Sequence, residues 1–372
     1  MAEPRLGLIV NPIAGMGGAV GLKGTDGAAA LQEARRRGAT PRSPDRAIAA
    51  LTAARDSLAG VEIVTCAGRM GADEVGACGL PAAVVGGSTS EETTAADTQS
   101  GARAIREAGV DLLPFAGGDG TARDILSAVG PELPVLGIPT GVKMHSGVFA
   151  TSPRAAGTLA ARYLGGEVST LRDSEVMDID EEAYRSGRLS ARLFGYLKVP
   201  YDDRSVQKPK SRSAPESGAL HSVAQAALRA MVPDTLYVVG PGTTTRAVLE
   251  AMGLEGSLLG VDVVRNGQLL ATDANEQELL QLVEGRPARI MVTPIGGQGY
   301  IFGRGNHQIS GRVIRSVGTD NIMVIAVPSK LFDLRGAPLL VDTDDEEVNR
   351  RLQGYTRVLI GVGQEMVYPV AM

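Results

Sequence analysis

Val110-Asp111-Leu112-Leu113-Pro114-Phe115-Ala116-Gly117-Gly118-Asp119-Gly120-Thr121-Ala122-Arg123-Asp124-Ile125-Leu126 is the stretch whose reading decides the fold. The apolar run Val110 to Ala116 predicts a buried strand, Ala122 to Val129 predicts a helix, and Gly117 to Thr121 is the tight turn between them. Such a turn offers backbone N–H groups and a helix N-terminus to an anion, and its glycines let a phosphate approach the main chain without a Cβ in the way. Asp119 narrows the chemistry. A carboxylate inside a phosphate cradle repels phosphate unless it binds a metal ion or takes a proton from a reacting hydroxyl, and both jobs belong to phosphoryl transfer. Thr121 can bond a phosphate oxygen or cap the helix. Asp124 and Arg123 either join the site or decorate the helix start, where Asp is common.

Outward from this turn, the first 140 residues alternate strands and helices, which predicts a parallel α/β sheet. Leu6 to Val10 is a short strand that runs into a second glycine-rich loop, Asn11-Pro12-Ile13-Ala14-Gly15-Met16-Gly17-Gly18. Helices are expected over Gly27 to Arg37, Pro44 to Leu58 with Ser43 as its cap, and Ala95 to Ala108; strands over Val61 to Cys66, Ala82 to Val85 and Pro134 to Ile138. Pro114 forfeits a ladder hydrogen bond and marks a bulge in this scheme. Beyond Thr140-Gly141 the texture becomes strand-rich. Glu175 to Asp180 and Leu189 to Val199 suggest a hairpin, and Asn266-Gly267 is the strongest short-range hairpin signal of the chain. The polar stretch Tyr201 to Gly218, with Lys208, Lys210 and Arg212, reads either as a lid over phosphates or as a solvated basic loop. The expected organisation is an α/β domain over 1–150 carrying the pentad, a β-rich acceptor-binding domain over 151–325, and a C-terminal segment 326–372 that returns to the first domain.

Composition restricts the function classes. Apolar residues make up 44% and charged residues 21% of 372 residues, a globular balance. A net charge of -5, 3% aromatics and no Trp argue against nucleic acid as a partner. Cys66 and Cys78 lack metal-like spacing and accompany only three histidines, which points to reduced thiols in a cytoplasmic protein. No apolar run approaches the ~20 residues of a spanning helix, so no membrane is expected. The glycines at 15, 17 and 21 have no acidic residue about 20 positions on to read a ribose, and no G-x-x-x-x-G-K-[ST] occurs, which disfavours dinucleotide dehydrogenases and P-loop nucleotidases.

Phe115-Ala116-Gly117-Gly118-Asp119-Gly120-Thr121-Ala122-Arg123-Asp124 resembles the signature of the NAD kinase and diacylglycerol kinase superfamily, and Asn11-Pro12-Ile13-Ala14-Gly15 resembles its other N-terminal motif. Further along, Gly137 to Met144, Gly240-Pro241-Gly242-Thr243-Thr244, Thr293 to Gly299 and Gly303-Arg304-Gly305-Asn306 resemble the ATP-NAD kinase-like branch that includes AcoX-type acetoin catabolism proteins. The resemblance spans nearly the whole chain. It implies a Rossmann-like N-terminal domain and a β-rich second domain with ATP and acceptor in the cleft between them. It also implies Mg2+ with ATP, NAD as the other substrate, and a homodimer or homotetramer. On these residues Asp119 is the general base that receives the proton of the ribose 2′-hydroxyl. Gly117, Gly118, Gly120 and Thr121 hold phosphate, and Asn11, Gly15 and Gly17 form a neighbouring wall. Asp124, Thr140, Lys143, Gly242, Thr243 and Thr244 complete the nucleotide-binding set; no metal ligands are assigned.

The Asn-Glu pair and the Gly-Ser-Thr-Ala-Tyr stretch of classical NAD kinases are missing, and Gly242-Thr243-Thr244 is the candidate replacement for the second. Lys143 reads either as a phosphate contact or as a surface lysine, and His145 as a ribose contact or a structural histidine. Two alternatives stand beside NAD phosphorylation: a kinase for a lipid or another small hydroxyl compound, and a nucleotide-binding regulatory protein without turnover. A lipid acceptor requires an exposed apolar or basic amphipathic face to meet the membrane, and the sequence shows no such helix.

Overall fold

The computed structural model describes residues 3–16, 28–88, 93–140, 144, 146–179, 191–202, 206, 217–257, 260–295 and 298–372. The chain divides into two compact units, one of residues 1–16 and 24–209, the other of 17–23 and 210–372.

The first unit is built on β1 (Arg5–Val10), β2 (Glu62–Cys66), β3 (Ala83–Gly86), β4 (Leu113–Gly117) and β5 (Val135–Pro139), all parallel in the order β3-β2-β1-β4-β5. Alternate residues of β1 face opposite helix layers, as a strand covered on both sides must. Leu6 and Leu8 line one small cavity with Ala50, Leu51 and Ala156 of the helices Ser43–Ala54 and Pro153–Leu164, while Gly7 and Ile9 meet Ile105 and Gly101 of the helix Ala95–Glu107. That last helix starts in a reciprocal box in which the Thr94 hydroxyl and the Asp97 carboxylate each satisfy the other's backbone N–H. The helices Ser43–Ala54 and Pro153–Leu164 touch backbone to side-chain position: a Cβ on Gly157 would lie 1.9 Å from the Ala50 carbonyl oxygen. β6 (Leu171–Ile179) and β7 (Ala191–Pro200) form the expected antiparallel hairpin in the same unit.

The second unit holds β8 (Leu236–Val239), β9 (Asp262–Arg265), β10 (Gln268–Ala271), β11 (Ala288–Val292), β12 (Tyr300–Phe302), β13 (Ile322–Ile325), β14 (Leu339–Val341), β15 (Gly354–Gly361) and β16 (Gln364–Ala371). They make a mixed nine-stranded sheet ordered β10-β9-β8-β11-β13-β15-β16-β14-β12. Asn266 and Gly267 both take positive φ, 50° and 75°, as the β9–β10 hairpin requires.

Several expectations need correction. The boundary between units falls near residue 209, not 150, because the helix Pro153–Leu164 and the β6–β7 hairpin pack on the first core. The segment 326–372 does not return to the first sheet; β13 pairs with β15, and β14 with β16, in the second. Pro114 causes no bulge, and β4 runs in unbroken register against β5 through it. Ser43 does not cap its helix. The N-cap is Arg42, and the Ser43 hydroxyl donates instead to the Ala14 carbonyl at 2.8 Å. The helix after the pentad begins at Asp119, so the turn is shorter than the sequence suggests. Gly17, Lys143, His145, Lys208, Lys210 and Arg212 lie outside the described residues.

Both cysteines are free and buried. Burial pushes the Glu74 carboxyl up to about 7, with the Asp73 charge adding to the effect and Arg69 opposing it. Its Oε2 has no hydrogen-bond partner among the described residues.

Two outcomes follow from this packing. Gly157→Ala should lower unfolding stability by about 1–3 kcal/mol in denaturant titrations, since the obstructing atom is backbone; an unchanged midpoint would contradict the close helix contact. Glu74 binds its proton more tightly folded than unfolded, so the wild type loses stability as pH rises from the unfolded value through about 7. The stability advantage of Glu74→Gln over wild type should therefore grow by about 2–3 kcal/mol between pH 4 and pH 8, and a pH-independent difference would contradict a carboxyl whose burial outweighs its backbone hydrogen bonds.

Candidate active site

β1 and β4 are neighbours, with Ile9 opposite Phe115 and Val10 opposite Ala116, so the loops that leave them start at the same level of the sheet. The Asn11 backbone N–H extends the ladder to the Ala116 carbonyl at 3.0 Å. The Asn11 side chain then serves both loops: its Oδ1 accepts from the Ile13 N–H at 3.3 Å, and its Nδ2 donates to the Thr121 hydroxyl at 3.0 Å. Gly15 takes φ 81°, and a Cβ there would lie 2.2 Å from the Thr140 carbonyl oxygen. Thr140 in turn donates its backbone N–H to the Gly117 carbonyl at 3.3 Å. The ends of β1, β4 and β5 are thus stitched into one surface.

Within the pentad the glycines have different reasons. A Cβ on Gly117 would fall 2.4 Å from Thr121 Cβ, so the fold itself forbids a side chain. Gly118 has φ -114°, a backbone conformation any residue adopts, and a Cβ there meets nothing within 4 Å among the described residues. Gly118 is also the N-cap of the helix Asp119–Val129, and among the described residues no side chain caps that helix. The first-turn N–H groups have no intrahelical acceptor, and among the described residues no side chain takes them up.

Asp119 is 7% exposed and occupies the first helical position. Its Oδ1 accepts the Ser146 backbone N–H at 3.0 Å. The Ser146 hydroxyl is itself locked onto β6, donating to the Met177 carbonyl at 2.8 Å and accepting the Met177 N–H at 3.0 Å. The β6–β7 hairpin thereby fixes the carboxylate through Ser146. Asp124, one turn on, is buried and accepts from the Gln99 amide at 3.1 Å. Arg123 pairs with Asp178 at 3.0 Å. Thr140 is 1% exposed, and its hydroxyl has no hydrogen-bond partner among the described residues.

Asn11, Gly15, Gly117, Gly118, Asp119, Gly120, Thr121, Asp124 and Thr140 therefore lie together at the carboxyl edge of the first sheet, where open α/β sheets hold ligands beside the strands at which the chain reverses direction. Gly242, Thr243 and Thr244 belong to the second unit, where they start the helix Thr243–Ala251. Thr121 is not the helix cap; its hydroxyl is taken up by Asn11. Sequence reading missed Ser146 and Gln99. Ser146 was accessible as a polar residue in the Met144-His145-Ser146-Gly147 run behind a strand end, but nothing local announces that its N–H meets a carboxylate 27 positions back.

Residues 6–168 match the ATP-NAD kinase N-terminal domain, and residues 233–370 match the ATP-NAD kinase C-terminal domain. No curated protein matches the chain. The two domains occur in the family's order, the first contains the turn around Asp119, and together they take up most of the sequence. The chain belongs to the ATP-NAD kinase family.

Proposed function

We propose that the chain is a phosphotransferase that moves the terminal phosphoryl group of ATP, or of another phosphoryl donor, to the ribose 2′-hydroxyl of NAD(H), giving NADP(H). The observation that carries this reading is Asp119: a carboxylate fixed by a backbone N–H inside a turn otherwise suited to phosphate. Held there, it receives the proton of the acceptor hydroxyl as the oxygen attacks phosphorus. The uncapped N–H groups at the start of the helix hold phosphoryl oxygens, and Gly118 admits them. Asn11 keeps the two loops in register and Ser146 keeps the carboxylate aimed. The wider set of nucleotide contacts, Gly15, Gly17, Asp124, Thr140, Lys143, Gly242, Thr243 and Thr244, is part of the same proposal, as are the AcoX-type branch, a cytoplasmic setting and a homo-oligomer.

Magnesium would accompany ATP. Among the described residues no three His, Cys, Asp or Glu side chains gather at one point. Mg2+ completes its shell with phosphates and water; Asp124 is the carboxylate that would hold it while Asp119 takes the proton, and the ion would offset charge on the phosphate oxygens. Among the described residues no helix is long and apolar enough to cross a membrane, which lends no support to a lipid acceptor.

Asp119→Asn should stay folded and lose about 10²–10⁴-fold in kcat for NADP formation from ATP and NAD, read with an NADP-specific dehydrogenase; turnover at the wild-type rate would remove Asp119 as the base. Gly118→Ala should leave the melting temperature within about 2 °C of wild type, because no atom of the described residues meets the new methyl group, yet raise KM for ATP about tenfold or more. An unchanged KM would contradict phosphate contact at Gly118.

A further inference from the structure

The helices Ala95–Glu107 and Asp119–Val129 lie on either side of β4 in the chain, one leading into it and the other leaving it. Each connects two parallel strands of the first sheet, so each starts at the carboxyl edge and runs back along the strands. Their opening turns therefore stand beside each other at the level of the pentad. Gln99 lies in the second turn of the first helix and Asp124 in the second turn of the other. The Gln99 Nε2 donates to Asp124 Oδ1 at 3.1 Å. One hydrogen bond thus ties a carboxylate of the candidate site to a helix that carries none of the site's other residues.

The donor is held firmly from its own side. The reciprocal Thr94–Asp97 box fixes the start of its helix, and Thr98 and Ala102 are buried. A Cβ on Gly101 would lie 2.6 Å from Cys66 Sγ and 3.1 Å from Ile9 Cδ1, so this helix is seated directly on β2 and β1. The acceptor is equally confined, between the buried Ala122 and Ile125. The residue type at 99 then decides what the contact does. A glutamine amide is a neutral donor that does not titrate, so it orients a carboxylate without cancelling its charge. A lysine or arginine there would orient the acid too, but would compete with a cation for it.

We propose that Gln99 is a positioning residue for the divalent cation that accompanies the nucleotide: its amide fixes the orientation of the Asp124 carboxylate, which holds the ion. This rests on the reading of Asp124 given above and adds to it a residue outside the pentad and outside the helix that follows it. Gln99 acts through Asp124. Hydrogen bonds made to a metal-binding carboxylate from behind set its direction, and their removal typically lowers metal affinity about 10–100-fold.

The test measures the cation's share of nucleotide binding without turnover. ADP affinity of the full chain is determined by calorimetry in excess Mn2+, which shares magnesium's preference for oxygen ligands, and again in EDTA; the ratio of the two is the metal-dependent gain. Gln99→Met should cut that gain about tenfold or more while leaving the ADP affinity in EDTA and the melting temperature at their wild-type values. Gln99→Lys, which keeps a donor at this place but adds a positive charge, should cut the gain as well. Asp124→Asn should cut it further than Gln99→Met does, and the double variant should match Asp124→Asn alone, since the amide works through the carboxylate. A wild-type gain in Gln99→Met and Gln99→Lys, or a double variant that loses what both single variants lose, would overturn the role of Gln99 and leave Asp124 as the ion's ligand. No gain in the wild type would overturn the magnesium reading and this role with it. A gain that Gln99→Met cuts, in a protein that makes no NADP, would support the positioning role while faulting the acceptor reading.

Discussion

The parallel pairing of β1 with β4 is the constraint on which the candidate site depends. It brings two glycine-rich loops, separated by about a hundred residues of chain, to one level of one sheet. Apolar burial supplies the stability: Leu8, Ile9, Val10, Phe115 and Ala116 are almost wholly buried, and each large side chain contributes about 1.5–3 kcal/mol. The Asn11–Thr121 hydrogen bond contributes nearer about 1 kcal/mol, too little to hold the sheet together. Its effect is geometric, because it sets the offset between the two loops once the strands have paired. Gly117 belongs to the same logic, since the Thr121 side chain fills the space a Cβ would need.

The carboxylate is positioned from a different direction. Ser146 stands between Asp119 and the β6–β7 hairpin, with its backbone N–H on the acid and its hydroxyl on Met177. The hairpin is therefore part of the architecture that aims the acid, although it lies outside the five-stranded sheet. The same hairpin packs on the first core through Val176, Leu197 and Val199, and the first unit accordingly continues past residue 150 to include it.

Much of this was legible in the sequence because it is local. The strand–turn–helix around the pentad follows from apolar runs broken by glycine, and the Asn266-Gly267 hairpin follows from two positive φ angles that few other pairs accept. The reading failed where the deciding contact is distant. Ser43 carries the local signature of a cap, yet the Ala14 carbonyl competes for its hydroxyl. Pro114 reads as a disruption, but the parallel register with β5 accommodates it. The destination of residues 326–372 depends on which sheet offers β13 and β14 partners, and a strand pattern does not encode the identity of its neighbour. Gly118 is the opposite case: a glycine that the protein's own packing does not require, so its meaning shows only once the surrounding space is known.

We infer that the first-unit turn carries out phosphoryl transfer to a ribose hydroxyl. The most direct measurement supplies wild-type protein with Mg2+, NAD and ATP labelled in the γ-phosphoryl group, then locates the label in the products. Transfer at this turn puts the label in the 2′-phosphate of NADP, with one ADP formed for each NADP. Label released only as inorganic phosphate, or carried by a compound other than the dinucleotide, would contradict it.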